Sequence, residues 1–176
     1  MKYVAFLRGI NVGGNMKVSM SELKKALTDA GFKDVKTLLN SGNVVFEAEG
    51  NGDHMSEKIA SIIKKAFGLT IHVIVRTQRE IEALVVSEPF KHIKITPQIR
   101  LYATFMTKKS SSSLQIPYES EDTSFRILEI TKNTIISALD ISKRKGTTDV
   151  MKILEKEFGK QITTRNWNTV VKTASL

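Results

Sequence analysis

Tyr3-Val-Ala-Phe-Leu-Arg-Gly-Ile-Asn-Val-Gly-Gly-Asn-Met-Lys-Val-Ser-Met-Ser-Glu22 sets the fold class of this chain. Its first five residues are continuously apolar, the signature of a short buried strand. A glycine-containing loop from Ile10 to Lys17 follows. Ser19-Met-Ser-Glu22 then has capping-box spacing, with Val18 placed to staple onto Leu23. Met20, Leu23, Ala26, Leu27 and Ala30 recur on one helical face, Gly31 supplies the left-handed stop, and Phe32 can fold back on Leu27. Strand, loop and amphipathic helix in that order open a β-α-β unit.

Working outward, Val35 to Leu39 and Val44 to Phe46 read as strands joined by Asn40-Ser-Gly-Asn43, a turn with Gly42 at positive φ. A helix from about Asp53 to Phe67 stops at Gly68, and Ile71 to Val75 is the next strand. The order β-α-β-β-α-β is the ferredoxin-like split unit. Beyond it, Gln78 to Val86 predicts a short helix and Ile99 to Met106 a strand. Lys108 to Asp122, with four consecutive serines, predicts a mobile loop. Phe125 to Ile130 and Thr134 to Leu139 predict a hairpin. Thr147 to Phe158 and Arg165 to Ala174 predict closing helices. The expected class is α+β: two linked ferredoxin-like (split β-α-β) subdomains, 1–76 and 77–176, with antiparallel sheets and C-terminal helices. Beyond this shared element order the sequence displays no internal repeat.

Composition narrows the chemistry. The chain has 176 residues and no cysteine, which excludes disulfides, thiolate metal sites and cysteine nucleophiles. His54, His72 and His92 lack metal-ligand spacing, so no metal or other cofactor is expected. No apolar run approaches the length of a membrane span, and the first residues lack signal-peptide character. A cytoplasmic address and no membrane partner are the expectation. The net charge is +9. Residues 1–90 hold 12 Lys/Arg against 10 Asp/Glu, and residues 91–176 hold 15 against 8. The second half therefore carries the excess, which favours an anionic partner there or serves solubility alone.

Three polar clusters are the candidate functional residues. Arg8-Gly-Ile-Asn-Val-Gly-Gly-Asn-Met-Lys17 lies between strand and helix, where backbone amides and a helix start suit an anion. It matches neither the P-loop nor the dinucleotide fingerprint. The plain alternative is a turn that needs positive φ. In Asn40-Ser-Gly-Asn43 the carboxamides suit a nucleobase edge, and hairpin chemistry explains them equally. In Thr163-Thr-Arg-Asn-Trp-Asn-Thr169, Thr164 reads as N-cap. Trp167, Val170, Val171 and Ala174 read as the buried face, and Arg165, Asn168 and Lys172 as the solvent face. An arginine in a first helical turn opposes the helix dipole, a cost that a bound anion would reverse.

Leu7 to Gly14, Ser41 to Phe46 and Thr164 to Val170 together resemble the bacterial family catalogued as domain of unknown function 1697. The resemblance implies ferredoxin-like subdomains and no established activity. It places Arg8, Gly9, Asn11, Gly13, Gly14, Lys17, Asn40, Ser41, Gly42, Asn43, Arg165, Asn166, Trp167 and Asn168 on the family motifs. The chain departs from the pattern at Asn15, where lysine is expected, and in a shortened Ser142 to Gly146 stretch. The candidate ligand-binding set is Arg8, Asn11, Gly13, Gly14, Lys17, Asn40, Ser41, Asn43, Arg165, Asn166 and Asn168. Binding of an anionic small molecule, a nucleotide or a nucleic acid, through the glycine loop and the final helix start, ranks first. A structural or interaction role ranks second. An enzyme acting on a small anion ranks third, because no Asp, Glu or His lies within the three motifs.

Overall fold

The computed structural model describes residues 1–13, 16–107, 112, 114–144 and 149–176. Gly14, Asn15, Lys145, three of the four serines and the first residues of the helix expected from Thr147 lie outside the described residues. The chain forms two compact units, Met1–Ala83 with Lys172–Leu176, and Leu84–Val171. The division falls inside a helix rather than between 76 and 77. Gln78 and Ile81, at the start of that helix, are buried, and the Gln78 carboxamide donates to the carbonyls of Thr173 and Ala174.

The first unit runs β1 (Lys2–Leu7), α1 (Met20–Asp29), β2 (Lys33–Leu38), β3 (Asn43–Glu47), α2 (Gly52–Phe67), β4 (Val73–Thr77) and the start of α3 (Gln78–Val86). Its sheet has the order β2-β3-β1-β4 with every neighbouring pair antiparallel. This is the ferredoxin-like arrangement that the element order predicts. Tyr3, Ala5 and Leu7 alternate along β1 onto the face where Leu23 and Leu27 of α1 and Ile59 and Ile63 of α2 complete one core. Burying each of these leucine and isoleucine side chains contributes about 1.5–3 kcal/mol. Ser19 caps α1, its hydroxyl accepting from the amide of Glu22. At the other end Gly31 has φ 91°, and the amides of Gly31 and Phe32 reach back to Thr28 and Leu27. That is the Schellman closure that the glycine and Phe32 foretell. β4 begins two residues later than expected and continues to Thr77. There a capping box appears, with Glu80 accepting from the Thr77 amide and the Thr77 hydroxyl accepting from the Glu80 amide.

The second unit contains β5 (Ile99–Met106), β6 (Tyr118–Glu119), β7 (Phe125–Ile130), β8 (Thr134–Asp140), α4 (Val150–Phe158), β9 (Ile162–Asn166) and most of α5 (Trp167–Ala174). Its antiparallel sheet has the order β6-β7-β8-β5-β9, with a core of Met106, Phe125, Ile127, Ile135, Leu139, Leu154 and Ile162. The segment expected as an uninterrupted loop after β5 contains the short edge strand β6. Ser112 within it donates to Glu157 of α4 at 2.7 Å.

Set side by side, the two sheets repeat one register. Tyr3 faces Thr77 and Val4 faces Arg76, while Tyr102 faces Asn166 and Ala103 faces Arg165. The amide of Leu7 donates to Gly42 and that of Met106 to Asn133, again at equivalent places. The chain is thus an internal duplication, with Tyr3-Val-Ala-Phe-Leu7 matched by Tyr102-Ala-Thr-Phe-Met106. In the second unit the described element between β5 and β7 is the strand β6, where the first unit has the crossover helix α1. That difference hides the repeat from a reading of the sequence.

Candidate anion-binding site

In the first unit the glycine loop and the β2–β3 turn are tied together by one side chain. The Asn11 carboxamide accepts from the amide of Val18 at 2.8 Å and donates to the carbonyls of Val18 and Asn40, each at 2.8 Å. Its oxygen and both N–H groups are engaged, so Asn11 acts as the clamp of the loop. Left-handed backbone is concentrated here. Gly9, Asn11, Gly13, Met16, Leu39 and Gly42 all have positive φ. Gly42 requires its lack of a side chain twice over, since a Cβ would meet Ile10 at 2.7 Å and Leu7 at 2.8 Å.

The result is an open cleft of about 550 Å³ lined by Asn11, Lys17, Val18, Ser19, Met20 and Asn40. Lys17 and Asn40 are exposed. The first turn of α1 begins within the lining, which adds the partial positive charge of a helix start to the Lys17 ammonium. Val18, Ser19 and Met20 are absent from the sequence-derived set, although they directly follow Lys17 at a helix start. Arg8 is half-buried, and its amide donates to His72 at 2.9 Å. Ser41 accepts from Asn43 at 3.0 Å, and Asn43 is fully buried, its amide also held by the Leu38 carbonyl at 3.0 Å. Asn43 thus braces the turn from inside. Gly13 is exposed with φ 62° and open space where a Cβ would stand.

In the second unit Thr163 to Asn166 form strand, not helix. β-branched Thr163 and Thr164 pair with β5, and the Thr104 and Thr164 hydroxyls meet at 2.8 Å. Thr164 is therefore no N-cap, and Arg165 does not sit in a helical first turn. Arg165 is buried, its guanidinium donating to the Thr163 hydroxyl at 2.8 Å and the Thr164 carbonyl at 2.9 Å. Burial lowers its pKa to about 10. Arg76 occupies the equivalent place on β4, donates likewise to its preceding carbonyl, and is likewise pushed down by burial. Asn166 and Asn168 are exposed. Trp167 packs edge-on against Phe90 with ring centroids 5.1 Å apart, a packing role and not a free stacking platform. Along α5 the buried residues are Thr169, Val170 and Thr173, whereas Val171 is exposed. The helix begins two residues later than expected.

Among the described residues no group of three or more His, Cys, Asp or Glu could hold a metal ion. No helix is long and apolar enough to cross a membrane.

The family described as "Protein of unknown function (DUF1697)" matches residues 1–135. The chain belongs to that family. The match includes the motifs at Leu7 to Gly14 and Ser41 to Phe46, whereas Thr164 to Val170 lies beyond it. No curated protein matches the sequence. A conserved bacterial protein from Streptococcus pneumoniae superposes with a TM-score of 0.68 at 21% identity, over 99% of this chain and 97% of that one. At that identity the likeness concerns the fold alone, and family membership brings no activity with it.

Proposed function

We propose that the protein binds a small anion in the first unit, in the cleft between the glycine loop and the β2–β3 turn. The observation that carries this reading is that the Asn11 clamp gathers the exposed Lys17, the start of α1 and Asn40 around one open cleft. A cation beside a helix start favours phosphate or carboxylate. Among the described residues the cleft lining offers no carboxylate or imidazole to move a proton, which supports binding over turnover. Calorimetric titration with inorganic phosphate and pyrophosphate tests the reading. Saturable binding that falls about tenfold in Lys17→Ala, with an unchanged melting temperature, is the expected result. Undetectable binding at millimolar anion, or full binding by Lys17→Ala, removes it.

A second reading, nucleic-acid binding by the basic half, draws support from the exposed Lys143 and Arg144, which follow β8. Asp140 beside them is held below the usual carboxylate range, chiefly by the Ser142 hydroxyl, with added help from Lys143 and Arg126. Arg165, being buried, is withdrawn from that surface.

A further inference from the structure

Tyr3 and Tyr102 hold equivalent places on β1 and β5, and the fold uses only the first of them fully. Tyr3 is buried, its ring stacked on Phe46 at 5.7 Å and its hydroxyl donating to the Gly50 carbonyl. Tyr102 faces Ser137 on β8 where Tyr3 faces Phe46 on β3. It is half-buried, and among the described residues its hydroxyl makes no hydrogen bond. Ser137 is fully buried, and its hydroxyl too has no partner among the described residues. Directly opposed residues share a face, so two unused hydroxyls stand side by side over the core of the second unit. Such groups work against folding, and a place that keeps them calls for another use.

Polar groups gather around Tyr102. Asn166 faces it from β9 and is exposed. Arg100, two residues earlier on β5, lies on the same face, and one nitrogen of its guanidinium donates to the carbonyls of Pro97 and Ile99 at 2.7 and 3.2 Å. The rest of that fork is left for a ligand. The turn after β8 folds back on the start of β5, the Ile141 amide donating to Gln98 at 2.9 Å, which brings Arg144 to the same end. Burial pushes the Tyr102 phenol up, and the Arg100 and Arg144 guanidinium groups act against that rise. Both cations thus stand within electrostatic reach of a hydroxyl that stays a donor at neutral pH. We infer that the second unit holds a phosphate site of its own, in which the Tyr102 hydroxyl and the Asn166 carboxamide donate to phosphate oxygens while Arg100 and Arg144 balance the charge. This site is separate from the first-unit cleft and does not rest on it. Two planar forks with further donors suit a tetrahedral dianion better than a singly charged carboxylate. Ser137 acts through its size, leaving Tyr102 without the opposing aromatic ring that holds Tyr3 in place.

Inorganic phosphate, acetate and a single-stranded RNA are titrated against the full chain and followed by amide chemical shifts, so that the two units report separately. Saturable shifts at Tyr102 and Asn166 with phosphate are expected in the parent and in Lys17→Ala alike, with acetate about tenfold weaker. Tyr102→Phe removes a hydroxyl that bonds nothing in the fold. Its melting temperature should hold while phosphate affinity at the Asn166 amide falls about tenfold. Arg144→Gln, a change at an exposed residue, should lower that affinity by a similar factor. Shifts confined to the surroundings of Lys17 overturn this inference and leave the first-unit cleft standing; shifts confined to the second unit do the reverse. Acetate bound as tightly as phosphate overturns it, as do variants that bind phosphate as the parent does. A Tyr102→Phe melt lowered by several degrees would make the hydroxyl structural and overturn it too. RNA binding weakened by both variants, with no response to phosphate, would assign the surface to a nucleic-acid strand instead.

Discussion

Arg165 shows how one residue changes meaning with its backbone. As the first residue of a helix it would be an exposed cation working against the dipole. As the fourth residue of β9 it is a buried guanidinium tied to its own strand. Arg165→Ala should therefore lower the melting temperature by several degrees, since it loses two charge-assisted bonds and leaves a void, about 2–4 kcal/mol together. Anion and RNA affinities should stay within twofold. An unchanged melt with lost binding would return Arg165 to a ligand role. Burial lowers its pKa to about 10, below the ordinary arginine range, so the unfolded chain holds the proton more strongly. Stability contributed at this site is thus constant below about pH 10 and rises with pH above it. Denaturant titrations of the parent and Arg165→Met at pH 9 and pH 11 should show the parent gaining relative to the variant.

At the scale of elements, the glycine loop is ordered by Asn11 rather than by its glycines. Those residues permit the left-handed turns, but the carboxamide joins β1–α1 to β2–β3. Asn11→Asp keeps shape and the acceptor for Val18 while replacing two donors by an oxygen facing two carbonyls. The expected cost is roughly 2–3 kcal/mol in denaturant unfolding, with anion binding reduced more than tenfold as the cleft opens. A variant as stable as the parent would mean that the loop is held elsewhere.

For the whole molecule the question is whether the charge in the second half has a polyanionic partner. If Lys143 and Arg144 contact single-stranded RNA together with about two neighbouring cations, log affinity should fall with log salt at a slope of roughly −3. Replacing Lys143 and Arg144 by alanine should flatten the slope by about 1.4. Lys17→Ala should leave it unchanged. Fluorescence titrations at two salt concentrations check this, and absence of binding at about 50 mM salt would leave the charge as a solubility feature.

Local signals told the sequence reading most of the elements. Ser19, Gly31, Gly42 and Gly68 stop or start their elements at the expected places, because caps and positive-φ turns act through near neighbours. The split β-α-β-β-α-β order followed from those boundaries, and the glycine loop stood out because residues of that kind between a strand and a helix have few other uses. Tertiary structure alone decided that Thr163 to Asn166 form a strand. Their pairing with β5 overrides a helical pattern that looked complete from Arg165 onward. It alone revealed the duplication, since register is a property of paired strands and the Tyr and Phe that β1 and β5 share are too short a match to mark a repeat. It alone separated the Asn11 clamp from the exposed Asn40, two asparagines with the same local credentials. Which carboxamide is consumed by the fold depends on the carbonyls that long-range packing brings within 3 Å, and no local pattern encodes that distance.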